Sequence, residues 1–274
     1  MGLTLYPIKM TETAIFQKAV NHWWAVKVQA AVRKSKQGGS RDENLTGKNL
    51  DVFISTIFEF LVRLGVDEHD IFVGGQFSKS AATLPSYFRP SKNWDLVVIS
   101  NSRFSSKALS TQKPRLHVAM EFKSQDKSIG NNQNNRMEES LGNACDFWSS
   151  YERQLFTSLL PRPWLGYFFI GKYADKDHVK KEVRQPHFLA RDVFRGGPDQ
   201  FTDVAKFPGP TYAERYRIFL EQAIGKKLYD AGAFLTTNEE IRDKFPNHCF
   251  PFPEFGAANF LKSLEAHIRV HYRR

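Results

Sequence analysis

Three residues carry most of the chemistry legible in this chain: Asp95, Glu121 and Lys123. Glu121-Phe122-Lys123 closes a short apolar run, and Asp95 opens an earlier one, Trp94-Asp95-Leu96-Val97-Val98-Ile99. Side chains alternate faces along an extended strand. Glu121 and Lys123 therefore share one face, while Met120 and Phe122 point into a core. Set beside the Asp95 strand, this arrangement brings two carboxylates and an ammonium into one small volume. Two hard oxygen ligands suit Mg²⁺, and a neighbouring lysine can orient, or help to deprotonate, a water for in-line attack on phosphorus. The chemistry implied is phosphodiester hydrolysis. By spacing alone the signal is weak, because an Asp followed at a distance by Glu-x-Lys arises often by chance.

The elements that must position these groups follow from periodicity. Thr11 reads as the N-cap of a helix running to about Ser35, with Ala14, Ile15, Ala19, Val20 and Trp23 as a partial apolar stripe and Gly38-Gly39 beyond it. A charged loop leads to a second helix, roughly Asn49 to Leu64, carrying Leu50, Phe53, Ile54, Ile57, Phe58 and Leu61 at helical spacing; Gly65 stops it. Ile71 to Val73 is a candidate strand, and Gly74-Gly75 a turn. A connector containing Pro and Ser leads to the Asp95 strand, a polar hairpin or loop runs from Ser105 to Pro114, and the strand Leu116 to Lys123 follows. After a Gly- and Asn-rich turn, Arg136 to about Leu160 reads as a helix and Trp164 to Gly171 as a buried strand. A three-strand meander, a crossover helix and a further strand make an α/β mixed sheet flanked by helices. Helices near Thr211 to Asp230 and Gly256 to Tyr272 close the chain. Their aromatics, Tyr212, Tyr216, Phe219, Tyr229 and Phe260, read as core or dimer packing. No internal repeat is evident.

Composition narrows the partners. The 274 residues fit one large domain or two small ones, and Lys+Arg 39 against Asp+Glu 29 gives a net charge of +10. That favours an anionic partner, and dispersed rather than tail-like charge favours nucleic acid. Cys145 and Cys249 are the only cysteines. They exclude a disulfide framework and a cysteine-type zinc site, and both thiols read as buried fillers. The histidines show no metal-ligand spacing. No long apolar run suggests a membrane span, and no signal-peptide layout is seen, so a soluble, cytoplasmic protein is expected.

Two blocks resemble a known family. Thr83-Leu84-Pro85-Ser86-Tyr87-Phe88-Arg89-Pro90-Ser91-Lys92-Asn93-Trp94-Asp95 is similar to the approach to the catalytic strand in XhoI-type type II restriction endonucleases. Glu121-Phe122-Lys123-Ser124-Gln125 with Gly130-Asn131-Asn132-Gln133-Asn134-Asn135-Arg136-Met137-Glu138-Glu139 is the more specific match. Weaker echoes at Gly47 to Asp51, Trp164 to Gly166, Pro186 to Phe188 and Thr211 to Tyr216 keep the family's order. Trp94 departs from the Pro in the superfamily's name.

The resemblance implies the PD-(D/E)xK restriction-endonuclease fold with added N- and C-terminal helices, and a Mg²⁺-dependent homodimer cutting double-stranded DNA at a palindromic site containing CTCGAG or a close relative. It implies 5′-phosphate and 3′-hydroxyl products, and a cognate DNA methyltransferase as a separate protein. One nuclease domain over 1–274 is expected, with its core at about 47–172 and a basic, helical part at 173–274 for DNA binding or dimerisation. Asp95 and Glu121 are assigned to the metal, with the Met120 or Phe122 carbonyl as a possible third ligand, and Lys123 to the attacking water. Glu59 or Asp51 can add a further carboxylate. They lie about 80° apart on an ideal helix, and Asp51 can instead support the helix N-terminus. Arg89 and Lys92 are candidate phosphate clamps, Gln125 a second contact on the metal face, and His187 part of a basic DNA-groove wall. Asn131, Asn132, Asn134, Asn135 and Arg136 are candidate DNA contacts at a helix N-terminus, with self-bonded turn residues as the alternative. Two other functions fit less well: a structure-specific nuclease on the same fold, and a DNA-binding module without catalysis.

Overall fold

The computed structural model describes residues 16, 19–26, 50–74, 82–100, 114–125, 129–156, 161–172, 210–237 and 251–272. A five-stranded sheet forms the middle layer. Its strands are β1 (Ile71–Val73), β4 (Leu96–Ser100), β5 (Arg115–Gln125), β6 (Trp164–Lys172) and β7 (Ala231–Thr237), in that spatial order. The pairs β1–β4 and β4–β5 are antiparallel; β5–β6 and β6–β7 are parallel. Separately, β2 (Thr83–Pro85) and β3 (Ser91–Asn93) form a small antiparallel hairpin.

Each face of the sheet is closed by helices, giving three layers. On one side lie α1 (residues 19–26), α2 (Asp51–Arg63) and α5 (Ala257–His271). Val20, Trp23, Phe53, Ile57, Leu61, Phe260 and Leu264 from these helices meet Val118, Met120, Phe122 and Phe168 from the strands. On the other side lie α3 (Ile129–Glu152) and α4 (Tyr212–Gly225). Phe147, Tyr216 and Leu220 pack there on Ala119, Leu165 and Phe169, and the hairpin adds Leu84 and Trp94. A two-residue period on β5 thus sends Met120 and Phe122 into the first core and Glu121 and Lys123 towards α3, as expected.

Helix ends follow local chemistry. Gly65, at φ +91°, terminates α2 in the left-handed region that favours glycine. Thr211 and Glu214 form a reciprocal capping box that starts α4. The N-terminal tryptophans serve packing: Trp23 and Trp24 are buried, and Trp24 Nε1 donates to Thr237 Oγ1 at 3.1 Å. Tyr216, Phe219, Tyr229 and Phe260 are buried core residues too.

Several expectations need correction. Asp95 stands just ahead of β4 rather than within it. The helix expected from Arg136 begins at Ile129 and ends at Glu152, so Gly130 to Asn135 are helical and not a turn. The connector before Asp95 is the β2–β3 hairpin. The tail after Asp230 contributes β7, every residue of which is buried; its Ala-Gly-Ala start has low strand propensity, and burial on both faces overrides it. Cys145 is exposed, not a filler, because the inner face of α3 is taken by its neighbours Ala144 and Asp146. The stretches Gly38 to Lys48, Ser105 to Lys113 and Asp177 to Gly209, with Cys249, lie outside the described residues, as does Gly75. Among the described residues no helix is long and apolar enough to cross a membrane.

Candidate active site

The site forms where β4 and β5 part, beneath α3 and beside the hairpin. The Asp95 backbone N–H donates to the Met120 carbonyl at 3.2 Å, and the Phe122 N–H donates to Asp95 Oδ2 at 2.7 Å. The Asp95 carboxylate is thereby fastened directly over the Glu121 peptide. Close packing at this joint requires Gly74. Its N–H donates to the Asp95 carbonyl at 2.9 Å, and a Cβ at Gly74 would run into the Trp94 carbonyl oxygen. Gly74→Ala is therefore expected to displace the Trp94-Asp95 peptide, costing about 1–3 kcal/mol of stability and most activity. Thermal melting and a cleavage assay check this; wild-type values in both would show that the joint yields freely.

Glu121 is buried at 1 % exposure and is surrounded by donors. Asn143 Nδ2 donates to its two oxygens at 2.8 and 3.0 Å. Lys92 Nζ lies 3.2 Å and Lys123 Nζ 2.9 Å from Oε1. Lys92 also sits 4.7 Å from the Trp94 ring centroid, a cation–π contact. Lys123 reaches a third carboxylate, with Nζ 2.6 Å from Glu139 Oε1, and Arg136 holds the other oxygen of Glu139 at 2.9 Å. Asn143 is itself held, since Arg89 NH2 donates to its Oδ1 at 2.6 Å. Arg89 Nε in turn donates to Asp146 Oδ2 at 2.8 Å.

Burial raises the Asp95 pKa from 3.8 to about 6; the Phe122 N–H opposes this, and the Glu121 charge adds to it. Burial alone would lower the Lys123 pKa, but the Glu121 charge and the hydrogen bonds to Glu139 and Glu121 outweigh it and hold the ammonium protonated. Burial likewise pushes Glu139 up, and its bonds to Lys123 and Arg136 bring it below the usual carboxylate range. The buried Glu121 and the partly buried Asp95, reluctant to ionise, form an all-oxygen donor pair that a hard divalent cation would satisfy. Among the described residues no cluster of three or more acidic, His or Cys side chains is arranged for a metal. Backbone carbonyl, water or phosphate oxygens at this site could complete such a shell. The Met120 carbonyl already accepts the Asp95 amide, which leaves that of Phe122 as the better third candidate.

The family model described as restriction endonuclease XhoI matches residues 29–247, which takes in every group just described. The chain belongs to the XhoI restriction endonuclease family. Over 206 residues it is 30% identical to the type II restriction enzyme BstVI of Geobacillus stearothermophilus, covering 75% of this chain and 80% of that protein. Over 187 residues it is 32% identical to the type II restriction enzyme AbrI of Azospirillum brasilense, covering 66% of this chain and 76% of that one. Over 191 residues it is 32% identical to the type II restriction enzyme XhoI of Xanthomonas vasicola, covering 69% and 65%. No solved structure matches the chain.

Not every expected residue of this XhoI-family endonuclease reaches the site. Asp95, Glu121 and Lys123 do, and so does Lys92, as a partner of Glu121 rather than an outlying clamp. Arg89 is not a free clamp either, because Asp146 and Asn143 occupy its guanidinium. Glu59 faces solvent beside Arg63, at 3.7 Å, and not inward. Buried Phe53, Ile54, Ile57 and Leu61 set the inner stripe of α2, and Glu59 falls about 200° round the helix from Ile57. Asp51, partly buried, opens the first turn of α2, which suits its helix-terminus reading. Gln125 shares the Glu121 face but is buried, and its Oε1 accepts the Tyr216 hydroxyl at 3.1 Å. Asn132, Asn134 and Asn135 are exposed on the first turns of α3. Arg136 pairs with Glu139. His187 and the Asn131 side chain lie outside the described residues.

Asn143 and Asp146 carry no expectation from the sequence, and Gln133 and Glu139 stand there only within the family block, Glu139 lying well past the first turn of α3. Gln133 is buried at the start of α3, where its Nε2 donates to the Tyr212 carbonyl at 2.6 Å. A signal existed: Arg136, Glu139, Asn143, Asp146 and Ser150 recur every three or four residues, a polar stripe on one face of a long helix. Ser140, Asn143, Asp146 and Ser150 on this side are all buried.

Proposed function

We propose that the chain is a Mg²⁺-dependent, homodimeric type II restriction endonuclease that cuts both strands of a palindromic DNA site containing CTCGAG or a close relative. The observation that carries this reading is the meeting of Asp95, Glu121 and Lys123 where β4 and β5 part, in a chain of this family. One nuclease domain over 1–274 does the work, a separate methyltransferase protects the same site, and the enzyme acts in the cytoplasm.

Phosphodiester cleavage needs negative charge neutralised at the phosphate and a water aligned with the leaving oxygen. Asp95 and Glu121 would hold Mg²⁺, which when bound supplies charge neutralisation and a more acidic water. Lys123, kept protonated and aimed by Glu139, holds the attacking water and stabilises charge on the phosphate. Asn143 fixes the plane of the Glu121 carboxylate, and Lys92 steadies its charge from the hairpin side. The products carry 5′-phosphate and 3′-hydroxyl ends. A palindrome read by identical chains calls for two-fold symmetry, hence the dimer.

Purified protein incubated with phage DNA and Mg²⁺, followed by sequencing of the ends, tests this. Discrete fragments sharing one palindrome are expected. Cutting only at branched DNA would favour a structure-specific nuclease, and salt-sensitive binding without hydrolysis a non-catalytic module. Asn143→Ala is expected to raise the Mg²⁺ concentration needed for half-maximal cutting by roughly 10- to 100-fold, the usual loss when a partner of a metal ligand goes. A magnesium titration unchanged by the substitution would remove Asn143 from this role.

A further inference from the structure

We propose that the tip of the β2–β3 hairpin is a DNA-contacting wedge, in which Phe88 packs its ring against the bases of the duplex beside the cleaved linkage. The inference rests on the DNA-cutting reading above and adds to it a contact that the catalytic trio does not need. Phe88 is 73 % exposed, the most exposed large apolar side chain among the described residues. Such exposure on a loose loop would mean little. This tip, however, is fastened from beneath.

The backbone N–H groups of Tyr87 and Phe88 both donate to Asp146 Oδ1, at 2.8 and 3.0 Å, and Arg89 Nε takes the other oxygen. Burial would raise the Asp146 pKa, but these bonds hold it below the usual carboxylate range, so the fastening persists at neutral pH. The Tyr87 ring braces Phe88 edge-on, with centroids 4.8 Å apart. At the base of the hairpin, Leu84 and Trp94 are buried, and Trp94 packs edge-to-face on Phe147 at 5.3 Å. A fold that fixes the backbone on both sides of an exposed phenyl ring presents that ring to a partner.

The same hairpin identifies the partner. Its returning strand delivers Lys92 to Glu121, four residues after Phe88. At about 3.3 Å per residue those four span at most about 13 Å, some four base-pair steps of 3.4 Å. A duplex whose phosphate sits at Glu121 therefore runs within a few base pairs' reach of the tip. The setting is basic: Arg153 lies 4.6 Å from the Tyr87 ring, and the chain carries a net charge of +10. An apolar ring in a basic setting suits nucleic acid, where aromatic side chains wedge between or stack upon bases.

The test uses full-length protein with Ca²⁺ in place of Mg²⁺ and duplexes centred on CTCGAG, or on whichever palindrome end sequencing assigns. The fluorescent base 2-aminopurine is placed at successive positions within four base pairs of the cut. Wild-type protein is expected to brighten the probe at one position, through unstacking. Phe88→Ala should abolish that signal and weaken binding roughly tenfold, the loss of a stacked aromatic, while Phe88→Trp restores both. The melting temperature should move little, since the ring is mostly exposed in the free protein. Unchanged probe fluorescence, binding and cutting in Phe88→Ala would overturn the wedge and leave the nuclease reading standing. Loss of the dimer in Phe88→Ala by sedimentation, with DNA contacts unaffected, would assign the tip to a second copy instead and overturn it equally. A wild-type protein that binds no duplex would overturn both readings together.

Discussion

Asp95→Asn is expected to reduce cleavage by on the order of 10³-fold while making the metal-free protein more stable at pH 8. The first effect follows from losing one of two carboxylates that would hold the metal, a change worth several kcal/mol in the transition state at about 1.4 kcal/mol per factor of ten. The second follows from linkage. Folding raises the Asp95 pKa from 3.8 to about 6, chiefly through burial. The folded chain thus binds a proton more tightly than the unfolded chain between those values. Stability is greatest when Asp95 is protonated and falls as pH rises from about 4 to about 6, by roughly 3 kcal/mol at 1.36 kcal/mol per unit. Asparagine carries no charge, and its side-chain oxygen can still accept the Phe122 N–H. The melting temperature of the variant should therefore exceed that of wild type by several degrees at pH 8, and the two should converge near pH 4. Mg²⁺ should stabilise the wild type and leave the variant unmoved. The same proton competes with metal, so wild-type Mg²⁺ affinity should climb up to tenfold per unit as pH rises towards 6, then level off. A variant less stable than wild type at pH 8, or one still stabilised by Mg²⁺, would contradict this account of Asp95.

Lys123→Met should lower the cleavage rate by roughly 10²- to 10³-fold, the cost of losing one donor aimed at developing charge. DNA binding supported by Ca²⁺ should change little. The ammonium is held protonated by Glu121 and Glu139 against the effect of burial. In the metal-free site it is therefore a donor and a positive charge rather than a base. Lys123→Arg keeps both properties and should recover part of the rate, whereas a lysine acting as base would leave arginine no better than methionine. Single-turnover cleavage at several pH values reads the difference. Full-speed cutting by Lys123→Met would remove the residue from the chemistry.

The trio was legible because a strand has a two-residue period: Glu121 and Lys123 share a face whatever the sheet around them. The brace was not, because Asn143 and Asp146 come from a helix that crosses above β5, and sequence spacing does not say which helix face lies over which strand. Gln125 shows the limit of the same parity rule. It has the predicted face, but the Tyr216 hydroxyl from α4 takes it first. The apolar neighbours of Glu59 mislead, when the 3.6-residue turn already places it opposite Ile57. For the fold, apolar elements such as α2, β5, β6 and even the three-residue β1 were readable, and compositionally poor ones were not. The hairpin has only three residues per strand, and β7 opens on Ala-Gly-Ala. β7 owes its conformation to burial against other elements, and the largely exposed hairpin is held by its tip's hydrogen bonds to Asp146, neither of which a local pattern encodes.

The most direct measurement is an anomalous-scattering map from crystals of the protein soaked with Mn²⁺ and bound to uncut duplex. The account predicts a peak within bonding distance of one oxygen each of Asp95 and Glu121, with the Lys123 ammonium beside the scissile phosphate. A manganese peak elsewhere, with Glu121 still paired to Lys92 and Lys123 and no phosphate near them, would contradict it.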